Sequence, residues 1–213
     1  MTPRERIKKI LDFKRPDRIG MHDTFLDTTI DKWRIDGMPS DISTEDYFNF
    51  DFHVIGLQEA LLRDSPPQKA RDKFRIISFQ EPFQQLCSVY TREDVLRKLA
   101  KYPKELKAGL INETYRVLHS LKKIPDLGAS FDGAWIWGDM AYKDGLFFSP
   151  SWYKENLMPL HKKICQHLKS QNLSIFFHSD GNVRDLLPNL IDIGVKAIHP
   201  LEENGGVDMD SIM

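Results

Sequence analysis

The sequence predicts an α/β fold, and specifically a TIM-type (β/α) barrel that is shortened to about six strands. Short apolar runs alternate with segments of helical periodicity through the second half of the chain, which is typical of parallel strands joined by crossover helices. Several apolar runs also end in His, Asp or Glu, as residues 173–180 do. The carboxyl ends of parallel barrel strands open on one face, so these side chains predict one shared polar rim and an enzyme site on it.

Six runs of the chain have the length and composition of strands. They are residues 19–21, 51–57, 74–79, 131–138, 173–178 and 195–201. Each is rich in apolar residues and is followed by polar or turn-forming residues. A complete barrel of this type has eight strands and usually about 250 residues. We therefore expect residues 1–213 to form a single barrel domain that is incomplete at its C-terminus or is completed by another subunit.

The helices are predicted from their caps and from apolar residues at helical spacing. Thr2 and Glu5 have the spacing of a capping box at the start of the first helix. Pro103 begins a long helix, and Gly194 ends the helix that follows residue 183. The helix after the second predicted strand is expected to stop at Ser65-Pro66-Pro67, because proline cannot continue a helix.

Composition and charge narrow the class of protein. The net charge of -1 and the pI near 6.7 give no support for nucleic-acid binding, because the phosphate backbone selects basic surfaces. No run approaches the roughly 18 apolar residues of a membrane span, and the N-terminus lacks the apolar core of a signal peptide. We expect a cytoplasmic protein without a membrane partner. The two cysteines, Cys87 and Cys165, are expected to be buried or half-buried free thiols.

Three residues at strand ends are the candidate catalytic groups. His178 and Asp180 are two positions apart, so on a strand both would face the same side and could bind a metal or act as an acid and base pair. The alternative is a histidine hydrogen-bonded to its own loop, with Asp180 capping the next helix. Asp139 follows Trp135 and Trp137, and a carboxylate beside aromatic walls could have a raised pKa and act as a general acid. The alternative for Asp139 is an ordinary turn aspartate.

Other polar and aromatic residues near strand ends are candidates for substrate binding. They are His22, Asp23, Glu81, Trp137, Tyr142, His199 and Glu202. We expect the loop at His199 to line a pocket rather than to perform chemistry. The large aromatic side chains could form a pocket wall for a flat macrocycle or belong to the core. His119, His161 and His167 lie on predicted polar helix faces, where we expect them to be solvated.

Several motifs in the chain resemble those of one enzyme superfamily. They are Met1-Thr-Pro-Arg-Glu-Arg-Ile, Arg15-Pro-Asp-Arg-Ile, Gly138-Asp-Met-Ala, Gly145-Leu-Phe-Phe-Ser-Pro, His178-Ser-Asp-Gly-Asn-Val, Ile193-Gly-Val and His199-Pro-Leu. In these motifs and their order, the chain resembles the uroporphyrinogen decarboxylase superfamily, which includes that decarboxylase and corrinoid-dependent methyltransferases. The resemblance implies a barrel enzyme that acts on a tetrapyrrole or corrinoid, with a small molecule or a corrinoid protein as its partner.

Two departures separate the chain from the family patterns. The decarboxylase has an arginine-rich segment after its first strand, where this chain has Met21-His-Asp-Thr-Phe-Leu. Losing that cationic clamp weakens the case for a carboxylate-rich substrate. The methyltransferases bind zinc through a His-x-Cys pair and a later cysteine, and here Asp180 takes the position of the first cysteine. Asp is a harder ligand than Cys, so a zinc site on His178 and Asp180 would have altered strength.

The residues and the resemblance together leave three functions open. The first is metal-assisted methyl transfer between a corrinoid and a small thiol or similar acceptor, with zinc on His178 and Asp180 and with Asp139 positioning or protonating the acceptor. The second is uroporphyrinogen decarboxylation, a tetrapyrrole carboxy-lyase reaction in which aspartates stabilise a pyrrole cation. The third is an inactive or interaction subunit of the same fold, whose unpaired last strand would favour a homo-oligomer.

Overall fold

The structure is a computed structural model that describes residues 1–62, 72–124 and 126–207. The expected helix stop at Ser65-Pro66-Pro67 lies outside these residues. Within the described ranges, no helix combines the length and the apolar character that a membrane crossing requires. Cys87 is half-buried and Cys165 is buried, and both are free thiols, as predicted.

Five parallel strands form the main sheet. They are β1 (Phe52–Gly56), β2 (Phe74–Gln80), β3 (Gly133–Trp137), β6 (Ser174–His178) and β7 (Ala197–His199). The strands lie in the order β1-β2-β3-β6-β7, and a separate antiparallel hairpin of β4 (Ala141–Tyr142) and β5 (Gly145–Leu146) follows β3. The predicted parallel α/β fold is confirmed. In the described residues the sheet has five strands rather than about six, and it is open between β1 and β7.

The strand predicted at residues 19–21 is absent from the described structure, so that prediction is wrong. The Met21 carbonyl accepts one hydrogen bond from the Asp51 amide at 2.9 Å. The Met21 amide and the Arg18 guanidinium both donate to the Asp51 carboxylate, at 2.7 Å each. A side-chain anchor therefore holds this segment beside β1, whereas a strand would need repeated backbone pairs.

The sheet is strongly curled, as the ring contacts on its inner face show. Phe52 on β1 and Phe176 on β6 have ring centroids 5.9 Å apart, although two strands separate them. In a flat sheet three strand spacings would place such side chains roughly 14 Å apart. The inner face is therefore concave, and Phe74, Ile76 and Ile7 fill its lower part.

Helices cover the other face of the sheet and its ends. They are α1 (Pro3–Leu11), α2 (Asp27–Ile35), α3 (Thr44–Tyr47), α4 (Leu57–Leu61), α5 (Pro82–Val89), α6 (Arg92–Lys101), α7 (Pro103–Lys122), α8 (Leu127–Ser130), α9 (Pro150–Trp152), α10 (Met158–Ser170) and α11 (Leu187–Ile193). A π-helical turn, Tyr153–Leu157, joins α9 to α10, and short 3-10 turns cover Arg184–Leu186 and Glu203–Gly205.

The predicted helix boundaries have clear local causes. The Thr2 hydroxyl accepts from the Glu5 amide at 3.2 Å, and the Glu5 carboxylate accepts from the Thr2 amide at 2.9 Å, which is the capping box. Pro103 begins α7, and Gly194 ends α11 with a φ of 93° that glycine adopts without a Cβ penalty. The main core then lies between the outer face of the sheet and helices α5, α7 and α10.

Candidate functional site

The strand register brings three predicted site residues into one row at the carboxyl edge of the sheet. Trp137 on β3 is aligned with His178 on β6, and His178 is aligned with His199 on β7. The backbone continues this register beyond the strands, because the Gly138 amide donates to the His178 carbonyl at 3.0 Å. The loops that follow β3, β6 and β7 are therefore held side by side.

A cavity of about 350 Å³ lies above this row. Its described lining residues are His22, Asp23, Thr24, Val54, Ser78, Trp135, Trp137, His178 and His199. Five of them were predicted as site residues, and Trp135 was expected only as an aromatic wall beside Asp139. Thr24, Val54 and Ser78 were not predicted. Val54 and Ser78 lie inside β1 and β2, and their place in the wall follows from the concave face rather than from a strand end.

Asp139, His178 and Asp180 form a cluster beside the cavity that has the composition of a metal site. One ligand atom from each residue can be chosen so that all three lie within 4.8 Å of one another. His178 Nε2 is 3.7 Å from Asp139 Oδ1 and 3.8 Å from Asp180 Oδ1. The His178 and Asp139 side chains are about a quarter exposed, while that of Asp180 is 63% exposed. The cluster is thus open to solvent on the Asp180 side.

Asp139 is held from two directions. Its Oδ2 accepts from Arg92 Nη2 at 3.1 Å, and its Oδ1 accepts from the Asp180 amide at 3.2 Å. The Arg92 guanidinium also lies 4.8 Å from the centroid of the Phe147 ring, a cation–π distance. Sequence reasoning did not find Arg92, because it begins α6 and reaches the site only through the tertiary fold.

The second nitrogen of His178 faces another imidazole. His178 Nδ1 lies 3.1 Å from His199 Nδ1, and the His199 ring packs edge-on against Trp135 with centroids 5.4 Å apart. Burial lowers the pKa of His199 below its usual range, and the neighbouring His178 acts in the same direction. A metal-binding histidine usually donates its other ring N–H to a fixed acceptor. His199 Nδ1 lies where such an acceptor for His178 would be.

His22 lies in an aromatic surround at the other side of the cavity. Its ring centroid is 5.1 Å from that of Trp135, 5.4 Å from Phe52 and 5.8 Å from Phe50. Within the described part of the chain, neither ring nitrogen has a hydrogen-bond partner. Burial lowers the pKa of His22 to about 4, so its imidazole is uncharged at neutral pH.

Glu81 is not brought to the cavity. Its carboxylate is fully buried, caps α5 by accepting from the Phe83 amide at 2.8 Å, and accepts from His161 Nε2 at 3.1 Å. His161 Nδ1 is in turn 3.1 Å from the Tyr153 hydroxyl. The prediction that His161 is solvated is wrong, because this histidine is completely buried in the pair with Glu81. A capping residue followed by proline, as in Glu81-Pro82, is typical of a helix start and indicates this structural role for Glu81.

Tyr142 and Glu202 lie outside the cavity lining in the described structure. Tyr142 on β4 is 49% exposed and stacks on Phe147 with ring centroids 5.8 Å apart. Glu202 is exposed and precedes the turn at Glu203–Gly205, and its carboxylate acts electrostatically on His199. Both residues therefore border the site without forming its wall.

The donor set of the cluster fits a zinc ion. Zinc takes His nitrogen and carboxylate oxygen at about 2.0–2.2 Å in a tetrahedron, which places ligand atoms about 3.3 Å apart. The separations at His178 Nε2 are 3.7 Å and 3.8 Å, and the three ligand atoms lie within 4.8 Å of one another, so the side chains would have to close by up to about 1.5 Å around an ion. Three protein ligands leave a fourth position for a substrate atom. Asp139, added by the structure to the predicted pair of His178 and Asp180, completes this set.

Comparisons with known proteins bear on the fold alone. No protein-family model matches the chain, so the resemblance to the uroporphyrinogen decarboxylase superfamily stays a prediction. No curated protein matches it in sequence. Among solved structures, the chain is similar to a methyltransferase from Methanosarcina mazei, with a TM-score of 0.66 and 14% identity over 93% of this chain and 75% of that chain. The likeness supports the TIM-like architecture.

Proposed function

We propose that this chain is an enzyme of metal-assisted methyl transfer, which moves a methyl group from a corrinoid to a small thiol or similar acceptor. The observation that carries the proposal is the cluster of Asp139, His178 and Asp180 beside the cavity at the strand ends. The likeness to a solved methyltransferase supports it, because that protein shares the architecture over most of this chain.

In this proposal His178, through Nε2, and the carboxylates of Asp139 and Asp180 would hold zinc. When bound, zinc lowers the pKa of a thiol and holds the thiolate for attack on a methyl group. The reaction forms a carbon–sulfur bond and breaks the carbon–cobalt bond of the corrinoid, whose electron pair stays on cobalt. The thiol proton is released to solvent, to which the cluster is open on the Asp180 side.

The remaining residues orient the ligands and shape the cavity. Arg92 binds Oδ2 of Asp139, which leaves Oδ1 directed at His178. His199 accepts from Nδ1 of His178 and so leaves the lone pair of Nε2 free for a metal. Trp135 and Trp137 supply apolar wall that excludes water from the acceptor.

The proposal is tested by metal binding and by methyl transfer on the same protein. Equilibrium dialysis should find zinc bound at one ion per chain, with stoichiometric binding lost in His178→Ala and kept in His119→Ala. His119 is the matched control because it is an exposed histidine on α7. The zinc-loaded protein should demethylate methylcobalamin in the presence of 2-mercaptoethanol, followed by the change in the corrinoid spectrum.

Two outcomes would overturn the proposal. The first is a protein that binds no zinc and leaves methylcobalamin unchanged with every small thiol tried. The second is metal-free protein that turns over uroporphyrinogen, which would instead establish the carboxy-lyase alternative. A homo-oligomer without either activity would favour the interaction subunit.

A further inference from the structure

The wall of the cavity carries negative charge that no basic side chain of the wall balances. Asp23 is a carboxylate of the wall, and none of the described lining residues is Lys or Arg. The carboxylates of Asp180 and Glu202, together with Asp23, all act electrostatically on the imidazole of His199 at the cavity floor. An anionic group placed in this cavity would meet the like charge of Asp23, and no Lys or Arg of the described wall would offset it.

The histidine that faces the cavity from the N-terminal segment does not reverse this charge. His22 is surrounded by Phe50, Phe52 and Trp135, and neither of its ring nitrogens has a hydrogen-bond partner among the described residues. Asp23 and Glu45 favour its protonated form, but burial outweighs them. Burial keeps its pKa at about 4, so it presents a neutral ring. It can exchange hydrogen bonds with a ligand, but it cannot neutralise one.

Arg92, the basic residue of the neighbouring cluster, binds Asp139 and lies outside the cavity wall. Its Nη2 donates to Asp139 at 3.1 Å and to Gln84 at 3.2 Å, and its guanidinium covers the Phe147 ring. Nε of Arg92 is buried without a hydrogen-bond partner among the described residues, but a ligand in the cavity does not meet it, because Arg92 is not in the wall.

The tryptophan side chains of the wall favour a cationic or apolar ligand. Trp135 and Trp137 contribute two indole rings, and Trp137 is 36% exposed at the cavity. Indole faces attract cations and pack against flat apolar groups. Asp23 beside these rings adds a charge that selects cations over neutral molecules of the same shape.

From this wall we propose that the cavity selects an acceptor whose body is uncharged or cationic, and that it rejects molecules bearing a carboxylate, phosphate or sulfonate. The inference rests on the proposed function, because it names the substrate class of that same site. A thiol bound to zinc would enter with its sulfur at the cluster and an apolar or cationic remainder against Trp135 and Trp137.

The test uses three probes that share a phenyl ring and differ in charge: benzylammonium, benzyl alcohol and benzoate. Binding to the full-length protein without added metal is measured by isothermal titration calorimetry, because a zinc ion would itself attract benzoate. Protection of cavity tryptophan fluorescence from a neutral quencher is the second readout. We expect benzylammonium to bind at least tenfold more tightly than benzoate, with benzyl alcohol between them.

The contribution of Asp23 is isolated with a matched pair of variants. Asp23→Asn should reduce the preference for benzylammonium over benzoate several-fold, whereas Asp192→Asn should leave it unchanged. Asp192 is an exposed carboxylate on α11 that does not line the cavity, so both variants make the same change in net charge. Thermal unfolding confirms that each variant folds.

Benzoate that binds as tightly as benzylammonium would overturn the inference, and so would the failure of all three probes to bind or to protect the tryptophans. The zinc titration separates this failure from that of the proposed function. If one zinc binds per chain but benzoate binds as tightly as benzylammonium, only the proposed substrate class is wrong. If benzylammonium binds more tightly than benzoate but zinc does not bind, the proposed charge preference of the cavity is supported and the methyl-transfer proposal is wrong.

Discussion

The Nδ1 atoms of His178 and His199 lie 3.1 Å apart, so one imidazole donates its proton to the other. Nε2 of His178 faces the carboxylates of Asp139 and Asp180. If a cation occupies the space between these three residues, the proton of His178 must be on Nδ1, and His199 must accept it. His199 is then a positioning residue that fixes the tautomer of a metal ligand.

The first prediction concerns this pair. His199→Phe should weaken zinc binding by about 10–100-fold, because His178 loses the acceptor that holds its Nδ1 proton. His199→Asn keeps an acceptor and should recover part of the affinity. The measurement is zinc titration against a competing chelator, with ¹⁵N NMR of the His178 ring to report the tautomer. Unchanged zinc affinity in His199→Phe would show that the contact has no positioning role.

The second prediction concerns stability against pH. His22 has a pKa of about 4 in the fold and an ordinary value of 6.5 when unfolded, so between these values the unfolded chain takes up a proton that the folded chain does not. The free energy of unfolding should therefore fall as the pH drops from 6.5 towards 4. The His22 contribution is on the order of 2–3 kcal/mol across that window.

His22→Phe should make this part of the pH profile shallower, as measured by urea unfolding at several pH values. The exposed His119 provides the control, because His119→Phe should leave the slope as it is in the parent protein. A His22→Phe protein with the parent slope would contradict the prediction.

The third prediction concerns the buried carboxylate that ties the N-terminal segment to β1. Asp51 is completely buried and binds Arg6, Arg18 and the amide of Met21. Asp51→Ala removes the carboxylate that Arg6 and Arg18 share and leaves Arg6 paired with Asp17. It should cost about 3 kcal/mol of unfolding free energy. Asp12→Ala removes an exposed ion pair with Lys14 and should cost less than about 0.5 kcal/mol. Equal losses in urea unfolding would disprove this ranking.

The fourth prediction concerns the glycine that precedes Asp139. A Cβ atom at Gly138 would lie 2.6 Å from Gln84 Cβ and 2.7 Å from Glu81 Cγ, so the start of α5 or the Asp139 loop must move. Gly138→Ala should lower the unfolding free energy by about 1–3 kcal/mol and weaken zinc binding as Asp139 shifts.

Gly56→Ala is the control for this substitution, since a Cβ at Gly56 meets nothing within 4 Å. It should change stability by less than about 0.5 kcal/mol. Calorimetric unfolding and zinc titration of both variants check the comparison, and a Gly138→Ala protein with parent zinc affinity would separate Asp139 from the metal.

The sequence predicted most of the sheet because strand signals are local. One observed strand of the main sheet lies at each of five predicted runs: 51–57, 74–79, 131–138, 173–178 and 195–201. These strands could be predicted because their apolar residues and the turn residues after them are local features of the sequence. The run at 19–21 has similar composition but no strand neighbour, because Asp51 holds its backbone through side-chain bonds. Composition does not show which groups satisfy a backbone amide.

The candidate site was also predicted from local sequence patterns, which do not show the contacts that a side chain makes in the folded protein. The strand-end rule selected Asp139, His178 and Asp180, which the structure brings within a few ångströms of one another. It also selected Glu81, which turns back to cap α5 and pair with the buried His161. The rule did not select Arg92, because that residue follows a helix and not the end of a strand.

The sequence by itself determined the α/β class, the order of the strands along the chain and the residue types at the carboxyl edge of the sheet, because periodicity, caps and turn residues act over short distances. Only the tertiary structure decided that the sheet curls enough to bring Phe52 to Phe176 and that His199 faces His178. It also decided that the described wall of the cavity combines aromatic rings with the Asp23 carboxylate. These relationships join residues far apart in the chain. They depend on register, curvature and side-chain direction, which the packing of the whole molecule sets.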